Sequence, residues 1–518
     1  MKNDRKVIII VLMVCVLGLA LVAAPIILLI RMASTGTLFS RHAFAGQVTI
    51  PSGPGAYSEL NMRQDREKYF RRTMVEAYRQ VGKRNAKWDA AAEKFLEHCA
   101  HYSALQQRDD IIETALIREG ALLVRTGCTD PMVLYNYGLT LFKQRKVKAA
   151  IPYLERAVAG LKACHYPRGR AWFAAKRLAE AYNDDTGTTI MQLHQPDSAG
   201  TQAERLRIRD AGRKKTDAST ALAKQWLLAS LRDGSYTSAD RQVFFEQIDG
   251  TIGELLTLKD VLNALKQQPN ADPYLVAVYE ARDEIAQAWK SRGDGFANTV
   301  TTEGWKGFAK HLDKAHKLLT DAWTQHPELP QAPTEMITVA MAGHAAPGET
   351  VYTWFNRAMT AQMDYTQAYG ALLPALRPRW NGSYEEIYAV GVASLDTKRF
   401  DTETPRQFLL ALRIITDDQQ GNLQCWQKAE TYPRLKTLFE GYLHAVPYSE
   451  RDQVKSEYAA CAWMCGQYDD AERLLNELGP RVSDRSFAAY TNAYPSMARK
   501  QIRNHQPPVL PAPDMNQR

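Results

Sequence analysis

Residues 130–164 read DPMVLYNYGLTLFKQRKVKAAIPYLERAVAGLKAC, and this stretch decides the fold. Asp130 is a good helix N-cap, and Pro131 suits the first helical position, where its missing N–H has no intrahelical partner to lose. Leu134, Tyr137, Gly138 and Leu141 then recur three and four residues apart, so they share one helix face. The pattern breaks at Gln144-Arg145-Lys146 and resumes with Ala150, Leu154 and Ala157. Two helices joined by so short a break run antiparallel, and small residues at the crossing let them bury a shared seam. The segment is a helical hairpin.

Leu134 to Ala157 resembles the tetratricopeptide repeat, whose first helix carries large-x-x-large-Gly-x-x-large and whose second carries Ala, a large residue and Ala. Arg145 stands where that family usually has Gly, and Lys162 where it often has Pro. Leu178, Ala179 and Tyr182 look like the start of another copy, at a spacing wider than the family's repeat of about 34 residues. Gly466-Gln467-Tyr468-Asp469-Asp470-Ala471, followed by Leu475, resembles the turn and second helix of a further copy. The resemblance implies an irregular α-solenoid of stacked hairpins with a concave face lined by the first helix of each pair. It implies that Tyr135, Asn136, Leu139 and Phe142 line that groove and that Lys176 and Arg177 add positive charge from the next helix. Amide and cationic donors of this kind suit a peptide carboxylate. Leu139 and Phe142 read equally well as core between neighbouring repeats.

Working outward, the whole body reads as all-α. Trp305, Phe308, Leu312, Ala315, Leu319 and Ala322 keep helical spacing, Thr404-Pro405 repeats the cap-then-Pro signal, and no run alternates as a half-buried strand does. Around Trp380-Asn381-Gly382-Ser383-Tyr384-Glu385-Glu386 the chain is similar to uncharacterised bacterial helical-repeat proteins, which implies no activity. Those residues also spell a turn at Asn-Gly and a capping box from Ser383 to Glu386. A chain of 518 residues exceeds one compact core. We expect a TPR-like helical domain at 58–184, a polar and basic linker at 185–215, a second helical-repeat domain at 216–505 and a Pro-rich tail at 506–518.

Val7 to Ile30 is an apolar run of 24 residues without a charge. As a helix it spans roughly 36 Å, against a hydrocarbon core of about 30 Å, and it exceeds a signal-peptide core of about 7–15 residues. Residues 1–32 therefore read as one uncleaved transmembrane helix and 33–57 as its tether. Lys2, Arg5 and Lys6 before the run place the N-terminus inside and the body outside, which in a bacterium is the periplasm. Of seven cysteines, Cys128 and Cys164 fall at the same end of the hairpin. A bridge between them and a pair of unpaired neighbours are both compatible with that placement.

No phosphate-binding loop, nucleophile elbow or zinc-protease motif is present. His98 and His101 lie i, i+3 and read as surface histidines beside a buried Cys99 rather than metal ligands. Cys461 and Cys465 read as core. The charge of +8 over 518 residues is too mild for a nucleic-acid footprint, and the run Arg205, Arg207, Arg209, Arg213, Lys214, Lys215 reads as a solvated face. Together these point to a membrane-anchored scaffold that binds protein or peptide partners without catalysis, metal or cofactor. The competing reading is an envelope enzyme whose site is assembled from distant helices, with Trp305, Trp354, Trp380 and Trp426 lining a pocket.

Overall fold

The structure, a computed structural model, describes residues 47–508 apart from 54, 107–108, 194–200, 269, 492, 505 and 507. The expected anchor, most of the tether and nearly all of the tail lie outside these residues. Among the described residues no helix is long and apolar enough to cross a membrane. The described fold is all-α, its only β pairing an isolated bridge between Ile252 and Leu256.

The described chain divides into two compact units, residues 51–375 with 402–404, and residues 376–401 with 47–50 and those from 405 onward. The first unit opens with α1 (Glu59–Phe70), which passes through a π-helical turn into α2 (Ala77–Val81), and continues with α3 (Asp89–Leu105) and α4 (Asp110–Arg125). Then come α5 (Pro131–Lys143) and α6 (Val147–Ala163), α7 (Arg168–Gln192) and α8 (Gln202–Ser230), α9 (Arg241–Asp249) and α10 (Leu258–Lys266). It ends with α11 (Pro273–Arg292), α12 (Thr302–Gln325), α13 (Gln331–Met341), α14 (Val351–Ala361) and α15 (Thr366–Ala375). Sequential helices pack on each other, most extensively α5 on α6, α7 on α8 and α11 on α12.

The hairpin legible in the sequence is α5 and α6. Leu134, Tyr137, Leu141, Ala150, Leu154 and Ala157 are all buried. A Cβ added to Gly138 would lie 3.0 Å from the Leu154 side chain, so a larger residue there would push the helices apart. The turn between them is a Schellman closure. The Lys146 N–H donates to the Leu141 carbonyl at 2.9 Å, around Arg145 at φ +58°. Four other helices end the same way, Cys128 donating to Leu123, His344 to Val339, Gly421 to Thr416 and Gln467 to Ala462. There the left-handed residue is Gly127, Gly343, Gln420 or Gly466. Arg145 carries a Cβ into a conformation that favours glycine.

Asp130 does more than the cap read from sequence. One carboxylate oxygen accepts from the Met132 and Val133 N–H groups, and the other accepts from the Lys83 N–H at 2.8 Å. The Tyr166 hydroxyl donates to the same carboxylate at 3.1 Å. A single buried side chain thus ties the start of α5 to the loops after α2 and before α7.

Residues 185–215, expected as a linker, are largely helical. They form the end of α7 and the first half of α8. The buried position on this part of α8 is Gly212, followed farther along the helix by Ser219, Ala223, Trp226 and Leu227. A seam begun with small and hydroxyl residues does not register as apolar periodicity. The unit also closes on itself over a long range. The Glu59 N–H donates to Asp364 at 2.8 Å, across 305 residues, and the Met363 N–H donates to the Tyr57 carbonyl at 3.0 Å. In a strict solenoid each repeat touches only its neighbours.

The second unit contains α16 (Tyr384–Asp396), α17 (Gln407–Asp418), α18 (Thr431–Ala445), α19 (Arg451–Met464), α20 (Tyr468–Leu478), α21 (Asp484–Thr491) and α22 (Pro495–Arg503). Ser383 caps α16 through the Glu386 N–H at 3.1 Å, as the motif predicts. The helix expected from Thr404-Pro405 begins later, at Gln407, because the Thr404 hydroxyl donates to the Met363 carbonyl instead of capping.

Two substitutions test these devices. Arg145→Gly should raise stability by roughly 0.5–1 kcal/mol, the left-handed penalty less the added unfolded-state entropy, read as a higher thermal unfolding midpoint. Asp130→Ala should lower stability by about 2–4 kcal/mol, from the lost cap plus a buried N–H left unpaired at Lys83, read by denaturant unfolding.

Candidate functional site

The six residues read as groove-facing separate into two sets. Tyr135 is 4% exposed and Asn136 2% exposed. The Asn136 amide donates to the Met132 carbonyl one turn earlier, at 2.9 Å, and burial pushes the Tyr135 phenol above its usual range. Both are therefore interior residues of α5, which corrects the expectation that they face a partner. Leu139 and Phe142 are half-buried. Arg177 on α7 lays its guanidinium over the Phe142 ring, 4.9 Å from the centroid, and pairs with Glu180 at 2.5 Å. Lys176, beside it, reaches Glu254 at 3.4 Å.

Phe142 also walls an open cavity of about 330 Å³. Its other walls come from Tyr102, Ser103 and Gln106 at the end of α3, Glu113 on α4, and Lys143 and Arg145 at the α5–α6 turn. Glu113 is buried and accepts from the Tyr102 hydroxyl and from the Gln144 amide, each at 2.5 Å. The Lys143 ammonium sits 4.3 Å from the centre of the Tyr102 ring. Tyr102, Glu113 and Lys143 were not visible as a group in the sequence, because three helices bring them together. The only advance signal was Lys143-Gln144-Arg145, a polar break ending a strongly apolar helix.

This arrangement is suited to binding. An aromatic face is flanked by the Lys143, Arg145 and Arg177 side chains, and the buried Glu113 is held in place by two donors. Ser103 makes no hydrogen bond to a described residue that would activate it as a nucleophile.

The remaining candidates are absorbed by local structure. Glu119 holds His98 at 3.0 Å and Glu67 holds His101 at 3.3 Å, so the two rings are drawn to different neighbours. The six described cysteines are free thiols. Cys128 and Cys164 both lie in the field of Asp130, and burial pushes Cys128 up to about 11 and Cys164 upward. Cys461 and Cys465 are core residues. In the basic run, Lys215 stacks over Tyr182 at 5.1 Å, Arg205 donates to the Leu193 carbonyl, and Arg207, Arg209 and Arg213 are exposed along α8. Trp354 and Trp426 are wholly buried, each in its own unit. Trp426 donates to Thr416 at 2.8 Å, and Arg357 lies 4.1 Å over Trp354, so both are packed core rather than the walls of a shared pocket. No protein-family model matches the chain, and no curated protein matches its sequence.

Proposed function

We propose that this protein is a membrane-anchored scaffold whose helical body, built of tetratricopeptide-like hairpins, binds a carboxylate-bearing peptide segment of a partner protein. The observation that carries the reading is the Phe142 ring, stacked by Arg177 from the next helix and bordered by Lys143 and Arg145 around the open cavity. An apolar anchor point ringed by guanidinium and ammonium donors is the chemistry that docks acidic peptide segments. The apolar run Val7–Ile30 supports the anchor, and the positive flank before it supports a body on the outer side of the membrane. Leu139 and Phe142 serve as the contact surface, with Arg177 and Lys176 as charged flanks, while Tyr135 and Asn136 hold the helix beneath them.

The reading is tested in intact cells by placing a photo-crosslinking residue at position 139 and, as a control, at exposed Lys259. A discrete adduct should form from position 139 alone, and Lys143→Glu with Arg177→Glu should abolish it while leaving helical circular dichroism unchanged. An identical adduct pattern from both positions, or an adduct indifferent to the charge reversals, overturns the reading. Fractionation tests the anchor separately: deleting residues 1–32 should move the body from the membrane pellet to the soluble fraction.

A further inference from the structure

A second cavity, of about 290 Å³, lies in the first unit where the end of α8, the start of α9, the end of α10 and the start of α11 converge. Its floor is apolar: Leu231, Phe244, Leu265 and Leu275, all buried. Its rim is polar, and the charged groups there are Arg241 and Asp272.

The two charges are not a closed pair. Asp272 caps α11, one oxygen accepting from the Tyr274 and Leu275 N–H groups, and its other oxygen accepts from Arg241 Nε at 2.7 Å. That single bond is the only hydrogen bond Arg241 makes to the described residues. Its two terminal nitrogens, which carry four N–H donors, have no acceptor among the described residues. The guanidinium is oriented through Nε with its terminal edge uncommitted to the described residues, beside a cavity whose floor is hydrocarbon. Arg241 is 17% exposed, and its terminal nitrogens are open to solvent on the cavity side.

We propose that this cavity binds a carboxylate carrying a short apolar tail, the carboxylate accepting from the terminal nitrogens of Arg241 and the tail covering Leu231, Phe244, Leu265 and Leu275. The guanidinium edge matches the two oxygens of a carboxylate, and the floor gives the tail a place out of water. A phosphate is disfavoured, because a second negative charge would face Asp272 with one guanidinium to balance both. The carboxylate belongs either to a free short-chain acid or to the C-terminal residue of a peptide with an apolar side chain. This site is separate from the Phe142 cavity, and it stands whether or not a partner docks there.

The test uses the full-length protein and isothermal titration with hexanoate, hexanamide, inorganic phosphate, and a pentapeptide ending in leucine as free acid or as amide. Hexanoate should bind and hexanamide should not. Binding of the free-acid peptide but not its amide assigns the site to a C-terminus, and binding of hexanoate alone assigns it to a free acid. Arg241→Gln should weaken the bound acid at least about tenfold, the scale of a lost charged hydrogen bond, with the unfolding midpoint near wild type because Asp272 keeps its cap. Ala271→Trp, which fills the rim, should abolish binding independently. Equal affinity for hexanoate and hexanamide, preference for phosphate, no binding of either acid, or an Arg241→Gln variant that binds like wild type overturns the proposal. The wild-type ligand comparison holds even if a variant fails to fold.

Discussion

The first unit turns on the carboxylate of Asp130. Its cost is desolvation, which pushes its proton affinity up, and that cost is offset by three backbone N–H groups and the Tyr166 hydroxyl. Each donor belongs to a segment that would otherwise leave a polar group buried without a partner. The N-terminus of α5 needs an acceptor, and the loop after α2 must turn back at Lys83. The chain entering α7 is fixed through Tyr166. One side chain satisfies all three, so the direction of α5, and with it the α5–α6 hairpin and the face carrying Phe142, follows from where Asp130 sits.

The hairpin turn shows how a cavity wall and a fold share residues at a cost. Three of the five Schellman closures place glycine in the left-handed position; the α5–α6 turn places Arg145 there and the end of α17 places Gln420. The same Arg145 lines the cavity beside Phe142 and Lys143. A residue held in an unfavourable conformation at the rim of a cavity, when glycine serves elsewhere, puts a guanidinium where glycine could not. Strain and site coincide at Arg145, and again at Gln106, which lines the same cavity at φ +52°.

Much of the fold was legible because it rests on local rules. The cap at Asp130, the seam from Leu134 to Ala157, the need for Gly138 and the cap at Ser383 are set by residues within a few turns of each other. What could not be read depended on partners distant in sequence. Asn136 looks like a groove amide until Met132 is seen to take its proton, and Tyr135 looks exposed until neighbouring helices cover it. Residues 185–215 looked like a linker because a seam begun with Gly212 and Ser219 carries little apolar signal. The Glu113 cluster needs three helices, and the junction of Tyr57 with Met363 joins segments that no periodicity connects. Local chemistry fixes the elements; the burial that decides which side chains face outward is a property of the assembled helices.

The buried arginines of the first unit show why a guanidinium with free nitrogens stands out. A cation removed from water needs compensation, and this unit supplies it in distinct ways. Arg66 is satisfied by Glu59, Glu246 and the Ala104 carbonyl. Arg282 has Asp249 and Glu335, each at 2.7 Å, and two aromatic rings beneath it. Arg170, 2% exposed, has no carboxylate among its described partners, but it lies within 5.1 Å of the ring centres of Tyr69, Phe70 and Phe173 and donates to the Tyr69 hydroxyl. Rings stabilise a desolvated cation through their quadrupoles, so the charge of Arg170 is offset by packing although its Nε is buried without a hydrogen-bond partner. Arg241 differs from all three. No ring lies beneath its guanidinium, Asp272 engages only Nε, and the terminal nitrogens border a cavity instead of a packed neighbour. Where Arg66 and Arg282 are closed by carboxylates and Arg170 by rings, Arg241 turns its terminal nitrogens, uncommitted to the described residues, toward solvent at the cavity, where an anion from outside the chain can displace water from them.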